Sequence, residues 1–153
     1  MNLDKQEKSI IRVLQAQGRI SNVELAEQIG SSESPCYRRV KALEVAGVIT
    51  GYGAKVDRRK LGLQVTAFIL VTVDSQDDQT LQEFFDAVAT DEYIVECHAM
   101  AGAHDYLLKA VAKSMDHFSD LVMKRILKIP GVKNVESNFS LQVLKEGASI
   151  PTE

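Results

Sequence analysis

The feature that most constrains the fold is a repeated start and stop signal for short helices in the first 47 residues. A cap residue with Glu three positions later, or with Pro at the first helical position, favours a helix start, and a glycine ends the last turn. The predicted caps are Asp4, Ser21 and Ser34, and the predicted stops are Gly18, Gly30 and Gly47. A turn of about four residues joins the second and third helices, which predicts a helix-turn-helix.

The residues after the third helix, VITGYGAKVD, predict a β-hairpin. Val48 and Ile49 begin a strand, two glycines turn the chain, and residues 54–56 return. A hairpin in this position is the wing of a winged helix-turn-helix.

The third helix is predicted to carry a surface for a polyanion. Cys36, Val40 and Leu43 follow helical spacing, so Cys36 is predicted to be a small core residue and not a reactive thiol. The basic side chains on its other faces are Arg38, Arg39 and Lys41. This division is that of a recognition helix, whose basic groups reach phosphates and base edges. A solvated basic helix without a partner is the alternative, and the ordered helices and turn favour DNA binding.

Charge also divides the chain in two. Residues 1–60 hold 11 Lys and Arg against 7 Asp and Glu, whereas residues 61–153 hold 7 against 14. A basic front and an acidic back indicate two parts with different partners, although the basic excess is modest.

The back part alternates between strand and helix patterns. Runs rich in β-branched and aromatic residues predict strands at 66–74, 93–102, 105–112 and 132–144, and helical spacing predicts helices after the first and third strands. The order β-α-β-β-α-β is a ferredoxin-like split βαβ repeat, so the predicted fold class is α+β. The predicted boundaries are 1–60 for the first domain, 61–65 for a linker and 66–153 for the second domain.

Both helices of such a repeat lie on one face of an antiparallel sheet, and the other face is open. Apolar side chains on an open face need a cover, and a second copy of the chain is the simplest one. The sequence therefore predicts a homodimer.

Three other kinds of site are disfavoured. Cys97, His98 and His104 match no zinc spacing and lack a fourth ligand, so no metal is expected. No glycine-flanked serine elbow is present, so no enzyme activity or cofactor is expected. The charged N-terminus and the short apolar runs indicate a cytoplasmic protein without membrane association.

The turn AGAHDY, residues 101–106, has two readings. Gly102 permits close approach of a ligand to the backbone, exposed N–H groups can hold a carboxylate, and Asp105 can pair with an ammonium group. The alternative interpretation is a plain hairpin turn with a solvated aspartate, and the residues alone favour this alternative.

Four blocks, GRISNVELAEQIG (18–30), SPCYRRVKALEVAGVITGY (34–52), AGAHDYLLK (101–109) and IPGV (129–132), resemble the leucine-responsive regulatory protein/AsnC (Lrp/AsnC) family of transcriptional regulators. The resemblance spans the chain. It implies a winged helix-turn-helix DNA-binding domain, an effector-binding and oligomerisation domain of RAM type, and homodimers that assemble to an octamer. The implied partners are double-stranded DNA and a small effector, usually an amino acid, that binds between dimers.

The resemblance also implies site residues. DNA contacts fall on Ser32, Ser34, Pro35, Arg38, Arg39 and Lys41. Effector contacts fall on Ala99, Met100, Gly102, His104, Asp105 and Tyr106, with Met115, Asn138 and Ser140 on the neighbouring surface. It reverses the preference at the turn, where an effector site is now favoured. Ser31, Glu33 and His104 depart from the usual family pattern, so the effector's identity does not carry over.

Two other functions stay open at this point. A nucleoid-type architectural protein would bind DNA with little specificity and without an effector. A ligand-sensing module would act on a protein partner, and the basic helix argues against it.

Overall fold

The computed structural model describes residues 2–74, 77–147 and 149–152. The chain divides into two compact units: Met1–Lys55 together with Leu144–Glu153, and Val56–Val143. The predicted linker at 61–65 lies inside the second unit, and the end of the predicted second domain belongs with the first unit.

The first unit contains helices α1 (Lys5–Ala16), α2 (Asn22–Gln28) and α3 (Glu33–Val45). The two predicted capping boxes are confirmed. The side chains of Asp4 and Ser21 each accept a hydrogen bond from the backbone N–H of the Glu three residues later, and the side chain of that Glu accepts one from the backbone N–H of the cap residue. Their apolar faces meet in one core, as the stripes predicted. This core consists of Ile10, Leu25, Ala26, Cys36 and Leu43.

The predicted start of α3 at Ser34 is wrong, because the helix begins at Glu33 with Ser32 as its N-cap. Pro35 is then the third helical residue, where a missing N–H costs nothing because the first N–H groups of a helix have no partner within it. The first backbone bond is from Cys36 N–H to the Ser32 carbonyl, at 3.1 Å. Glu33 therefore places its negative charge in the first turn, where the helix dipole favours it.

The turn between α2 and α3 is closed by its backbone. Gly30 takes a φ of 65°, and the amides of Gly30 and Ser31 donate to the carbonyls of Glu27 and Ala26. Asn22 then donates from its side chain to the Glu33 carbonyl at 3.0 Å, which ties the start of α2 to the start of α3.

The predicted wing hairpin is not formed as paired strands, since residues 48–56 contain no strand. Val48 and Ile49 instead donate to the Leu43 carbonyl, at 3.0 and 3.2 Å, and so finish α3. Val48 and Ile49 could form few cross-strand hydrogen bonds in a hairpin this short, so their N–H groups bond to the carbonyl at the end of α3 instead. The Tyr52 hydroxyl donates to Glu44 at 3.0 Å and holds this segment against α3.

The second unit confirms the β-α-β-β-α-β order. Its elements are β1 (Val65–Val73), α4 (Asp78–Thr90), β2 (Ile94–Ala99), β3 (Tyr106–Ala112), α5 (Met115–Asp120) and β4 (Val132–Phe139). After α5 the helix continues as a π-helical turn, Leu121–Arg125, and a 3₁₀ turn, Ile126–Lys128. β4 ends five residues before the predicted end of the last strand.

The four strands form one antiparallel sheet in the order β2-β3-β1-β4. Alternate residues of β1, including Ala67, Ile69 and Val71, pack with the helices in the core. Phe68, which lies between Ala67 and Ile69 in the sequence, points to the opposite face of the sheet and is 37% exposed. The predicted open face with apolar side chains is therefore present. None of the described helices has the length and hydropathy that crossing a bilayer requires.

Candidate nucleic-acid interface and effector site

The six residues predicted to contact DNA lie in the first three turns of α3 or at its cap. Ser32 and Ser34 are exposed, and the Ser32 hydroxyl makes no capping bond. Arg38 is exposed as well, and within the described residues no ion pair involves it. These groups stand free at the start of a helix, where N–H groups and cations suit a phosphate.

Arg39 and Lys41 are engaged within the unit. The Arg39 guanidinium donates to the Asp4 carboxylate, which joins α3 to the cap of α1. Lys41 donates to Glu44 at 2.7 Å, and this bond raises the pKa of Lys41 and lowers that of Glu44. The two cations thus differ from Arg38, which the sequence pattern placed in the same class.

Tyr37 was missed by the sequence reasoning. It is 53% exposed, lies between Cys36 and Arg38, and has the Lys41 ammonium 5.8 Å from its ring centroid. Its aromatic ring adds a stacking surface to the polar side of α3. The signal was available, since Tyr37 falls outside the apolar stripe.

The predicted effector residues fall into two groups within one chain. Ala99, Met100, Gly102, His104, Asp105 and Tyr106 lie at the turn that joins β2 to β3. The second group consists of Met115, Asn138 and Ser140. Asn138 pairs with Phe68 in the middle of β1 and donates to Glu136 at 3.4 Å, and the other Glu136 oxygen is 3.8 Å from His104 Nε2, so one chain brings Asn138 near the turn. Met115 and Ser140 lie at the other end of the sheet, about five strand residues or roughly 17 Å away.

Asp105 is built into the turn. Its side chain accepts from the Val73 amide at 2.8 Å, and its own amide donates to the Val71 carbonyl at 3.0 Å. Its carbonyl accepts from Met100 N–H at 2.8 Å, and Gly102 between them takes a φ of 152°. The Asp105 carboxylate therefore fixes the end of β1, where the pairing with β4 shifts register.

The two neighbours of Asp105 point in different directions. The Tyr106 ring packs in the core against Phe84 and Phe85, with centroids 4.7 and 5.7 Å away. His104 is partly exposed and has Nδ1 3.3 Å from the Thr72 hydroxyl and Nε2 3.8 Å from Glu136. His104 is thus the more accessible of the two to a ligand.

Thr66 is a second residue that the sequence reasoning missed. It is 5% exposed, and its hydroxyl has no hydrogen-bond partner among the described residues. Its carbonyl accepts from Ser140 N–H at 2.9 Å, so Thr66 lies beside Ser140 of the second group. A threonine inside an apolar strand pattern was the available signal.

The helix side of the second unit has a cleft of about 500 Å³. Its lining residues are Ala87, Thr90, Asp91, Glu92, Ile94, Arg125, Ile126 and Ile129. Arg125 donates to Asp91 at 3.0 Å, so the opposite charges at its rim are already paired with each other. Among the described residues, no three His, Cys, Asp or Glu side chains are grouped to hold a metal ion.

Comparison with known proteins identifies two domain types in this chain. Residues 3–50 match the family model described as winged helix-turn-helix DNA-binding, and residues 66–150 match the Lrp/AsnC ligand binding domain. A leucine-responsive regulatory protein of Rhizobium meliloti is 36% identical over 150 residues, which cover 98% of this chain and 96% of that protein.

Two solved structures of similar proteins contain methionine. A transcriptional regulator of Neisseria meningitidis, in complex with L-methionine, has a TM-score of 0.93 and 37% identity over 98% of this chain and 97% of its own. A feast or famine regulatory protein of Mycobacterium tuberculosis, complexed with L-methionine, has a TM-score of 0.85 and 28% identity over 95% of this chain and 96% of its own.

Proposed function

Because the chain belongs to the Lrp/AsnC family of DNA-binding transcriptional regulators, we propose that it binds specific operator sequences and that an amino acid changes its occupancy of them. The proposal has a DNA half and an effector half, and it includes no catalytic step and no cofactor. The observation that carries it is the outer side of α3, where Arg38 stands exposed on a helix anchored in the core by Cys36 and Leu43.

In the DNA half, α3 enters a major groove with its first turns against the bases. Arg38 reads guanine or pairs with a phosphate, and Ser32 and Ser34 bind the backbone beside it. Arg39 holds α3 on α1 through Asp4 and has a supporting part. Lys41 reaches a phosphate after it leaves Glu44, an exchange that costs little because the pair is exposed.

A homodimer gives the operator its symmetry. Phe68 and its neighbours on the open face of the sheet are covered by a second copy in this proposal, and dimers assemble further to an octamer. Two copies of α3 then reach successive major grooves about 34–36 Å apart, which suits an imperfect palindrome.

In the effector half, the ligand lies between copies. The amides around Gly102 receive its carboxylate, and the second oxygen of Asp105 receives its ammonium group. Met115, Asn138 and Ser140 line the surface of a neighbouring copy in this proposal, which would bring Met115 and Ser140 to the turn. A methionine-like ligand is the first candidate because similar structures hold methionine. Its binding would favour one assembly state and so change DNA occupancy.

The test begins with a duplex selected from random sequence by the purified chain. Fluorescence anisotropy at fixed salt then gives Kd for this duplex and for a scrambled one. We expect a ratio of about 10³ or more, because specific sites exceed nonspecific DNA by at least this factor. Titrations repeated with each common amino acid, and with sizing of any that shift Kd, test the effector half.

The alternatives give different results. A ratio near one, with tight binding to both duplexes, would favour an architectural protein. Absence of binding to any selected duplex would overturn the DNA half, and no response to any amino acid would overturn the effector half.

A further inference from the structure

The C-terminal segment returns to the DNA-binding unit. The Gln15 side chain donates to the Ile150 carbonyl at 3.0 Å and accepts from the Ile150 amide at 2.6 Å. Lys55 lies 3.5 Å from the Gly147 carbonyl, to which it donates. Gln15 is in the last turn of α1, so the segment lies along the end of that helix. The side-chain carboxamide of Gln15 thus bonds both the N–H and the carbonyl of Ile150, as a residue of a neighbouring β-strand would.

The hydrogen bonds at Gly147 and Ile150 are made by the backbone of the segment. Ile150 is 75% exposed and Leu144 is 87% exposed, so little apolar surface is buried by docking. Solvent-exposed hydrogen bonds contribute little net stability, and ordering each residue of the segment costs conformational entropy. The contact is therefore one that forms and breaks readily.

The path of the chain gives this contact a consequence. The polypeptide passes between the two units twice, between Lys55 and Val56 and again between Val143 and Leu144. A unit held by two chain segments has fewer orientations than one held by a single segment. The second passage starts a few residues after Ser140, which is in the second group of predicted effector residues.

We propose that residues 144–147 and 149–152 act as a strap, which docks on Gln15 and thereby restricts the orientations of the DNA-binding unit. The proposal rests on the proposed function, which it extends by a regulatory contact. A restricted unit loses less freedom when two copies bind one operator, so docking strengthens operator binding. Ligand or assembly at the end of β4 then changes operator affinity through the strap.

The first experiment is a double-mutant cycle on operator affinity. The variants are Gln15→Ala, a chain that ends at Val143, and the combination of the two. Gln17→Ala is the matched control, because Gln17 is an exposed glutamine next to the end of α1 whose side chain has no described hydrogen bond. The probe is the duplex selected by the wild-type chain, at fixed salt.

We expect Gln15→Ala and the shortened chain each to raise Kd by about 3- to 10-fold, and Gln17→Ala to leave it unchanged. In the shortened chain, Gln15→Ala should have no further effect, since the strap is already absent. Equal losses from Gln15→Ala in the full and the shortened chain would overturn the proposal, because Gln15 would then act without the strap. Unchanged Kd in both single variants would overturn it as well.

The second experiment needs no DNA. Amide hydrogen exchange followed by NMR reports the Ile150 N–H, which the docked state protects. We expect exchange at Ile150 to become at least 3-fold faster in Gln15→Ala and to stay the same in Gln17→Ala. Equal exchange in all three chains would show that the strap does not dock. If the wild-type chain selects no duplex, the proposed function fails, and this exchange result still decides whether the strap docks.

Discussion

The guanidinium of Arg39 is hydrogen-bonded to the carboxylate of Asp4, the N-cap of α1. Thirty-five residues separate the two along the chain. The bond links a predicted DNA contact to a helix cap in the same unit, and so separates Arg39 from its neighbour Arg38. Two adjacent arginines of one helix thus have different surroundings, and their variants should behave differently.

Replacing Arg38 by Ala should weaken operator binding, while Arg39→Ala should act mainly through the fold. Loss of one phosphate contact makes the negative slope of log K against log salt concentration less steep by about 0.9. If Arg38 reads a guanine, about 1–3 kcal/mol of binding is lost. We expect Arg39→Ala to change the salt slope less and to lower the melting temperature more. Anisotropy at four salt concentrations and thermal melts measure both, and equal losses of affinity together with equal slopes for the two variants would contradict the division of roles.

The same pair predicts a pH dependence. A hydrogen bond from the Glu7 amide and then the Arg39 guanidinium lower the pKa of Asp4 below its ordinary 3.8. A carboxyl with a lowered pKa stabilises the fold above its unfolded pKa, and this contribution disappears as pH falls through the folded value. Asp4→Asn keeps a capping side chain but has no charge.

The melting temperature of wild type should therefore exceed that of Asp4→Asn by a constant amount above about pH 5, and the difference should shrink below about pH 4. Asp116→Asn is the control, since Asp116 is exposed and its side chain has no described hydrogen bond. Parallel curves for wild type and Asp4→Asn down to pH 2 would show that the charge of Asp4 has no stabilising part.

The two cysteines should differ in reactivity. Cys36 is fully buried and Cys97 is exposed. Desolvation by the surrounding protein raises the pKa of both thiols, so labelling should be slow at neutral pH and is best measured at about pH 8.5. We expect a thiol reagent to label Cys97 in the native state and Cys36 only after denaturation. Peptide mass spectrometry identifies the label, and rapid native labelling at Cys36 would contradict its place in the core.

Asp105 should affect both the fold and the effector response, and two variants separate these effects. Asp105→Ala leaves the Val73 amide without its acceptor, which should lower the free energy of unfolding by about 1–3 kcal/mol. Asp105→Asn keeps an acceptor oxygen for Val73 but removes the charge proposed to bind an ammonium group.

Denaturant unfolding gives the stability of each variant, and calorimetry with the amino acid that shifts operator affinity gives its binding. We expect Asp105→Asn to fold nearly as stably as wild type and to bind the ligand at least 10-fold more weakly. Unchanged ligand binding by Asp105→Asn would remove the ammonium contact from the proposed site.

Most of the fold could be predicted from local patterns. The caps at Asp4 and Ser21, the glycine stops and the order of strands and helices each depend on residues close in sequence, so their spacing identified them. The start of α3 was placed late because Ser34–Pro35 is a strong local signal. The structure starts the helix earlier, since its first N–H groups need no partner and Pro35 fits there.

The wing shows where local pattern fails. VITGYGAKVD has the glycines and β-branched residues of a hairpin, but the carbonyl of Leu43 takes the amides of Val48 and Ile49. This competition lies between the segment and the helix before it. Alternation within the segment carried no information about it.

The sequence by itself determined the order of the helices and of the four sheet strands, which of their faces are apolar, and that α3 carries a basic side. The tertiary structure decided which charged side chains on that side form ion pairs within the protein. Arg39 meets Asp4 from another helix, whereas Arg38 does not, because contacts between distant residues depend on how the helices pack. The same reason explains Asp105 and Gln15. Their spacing marks them only as polar, and the fold brings Asp105 to the Val73 amide and Gln15 to the backbone of Ile150.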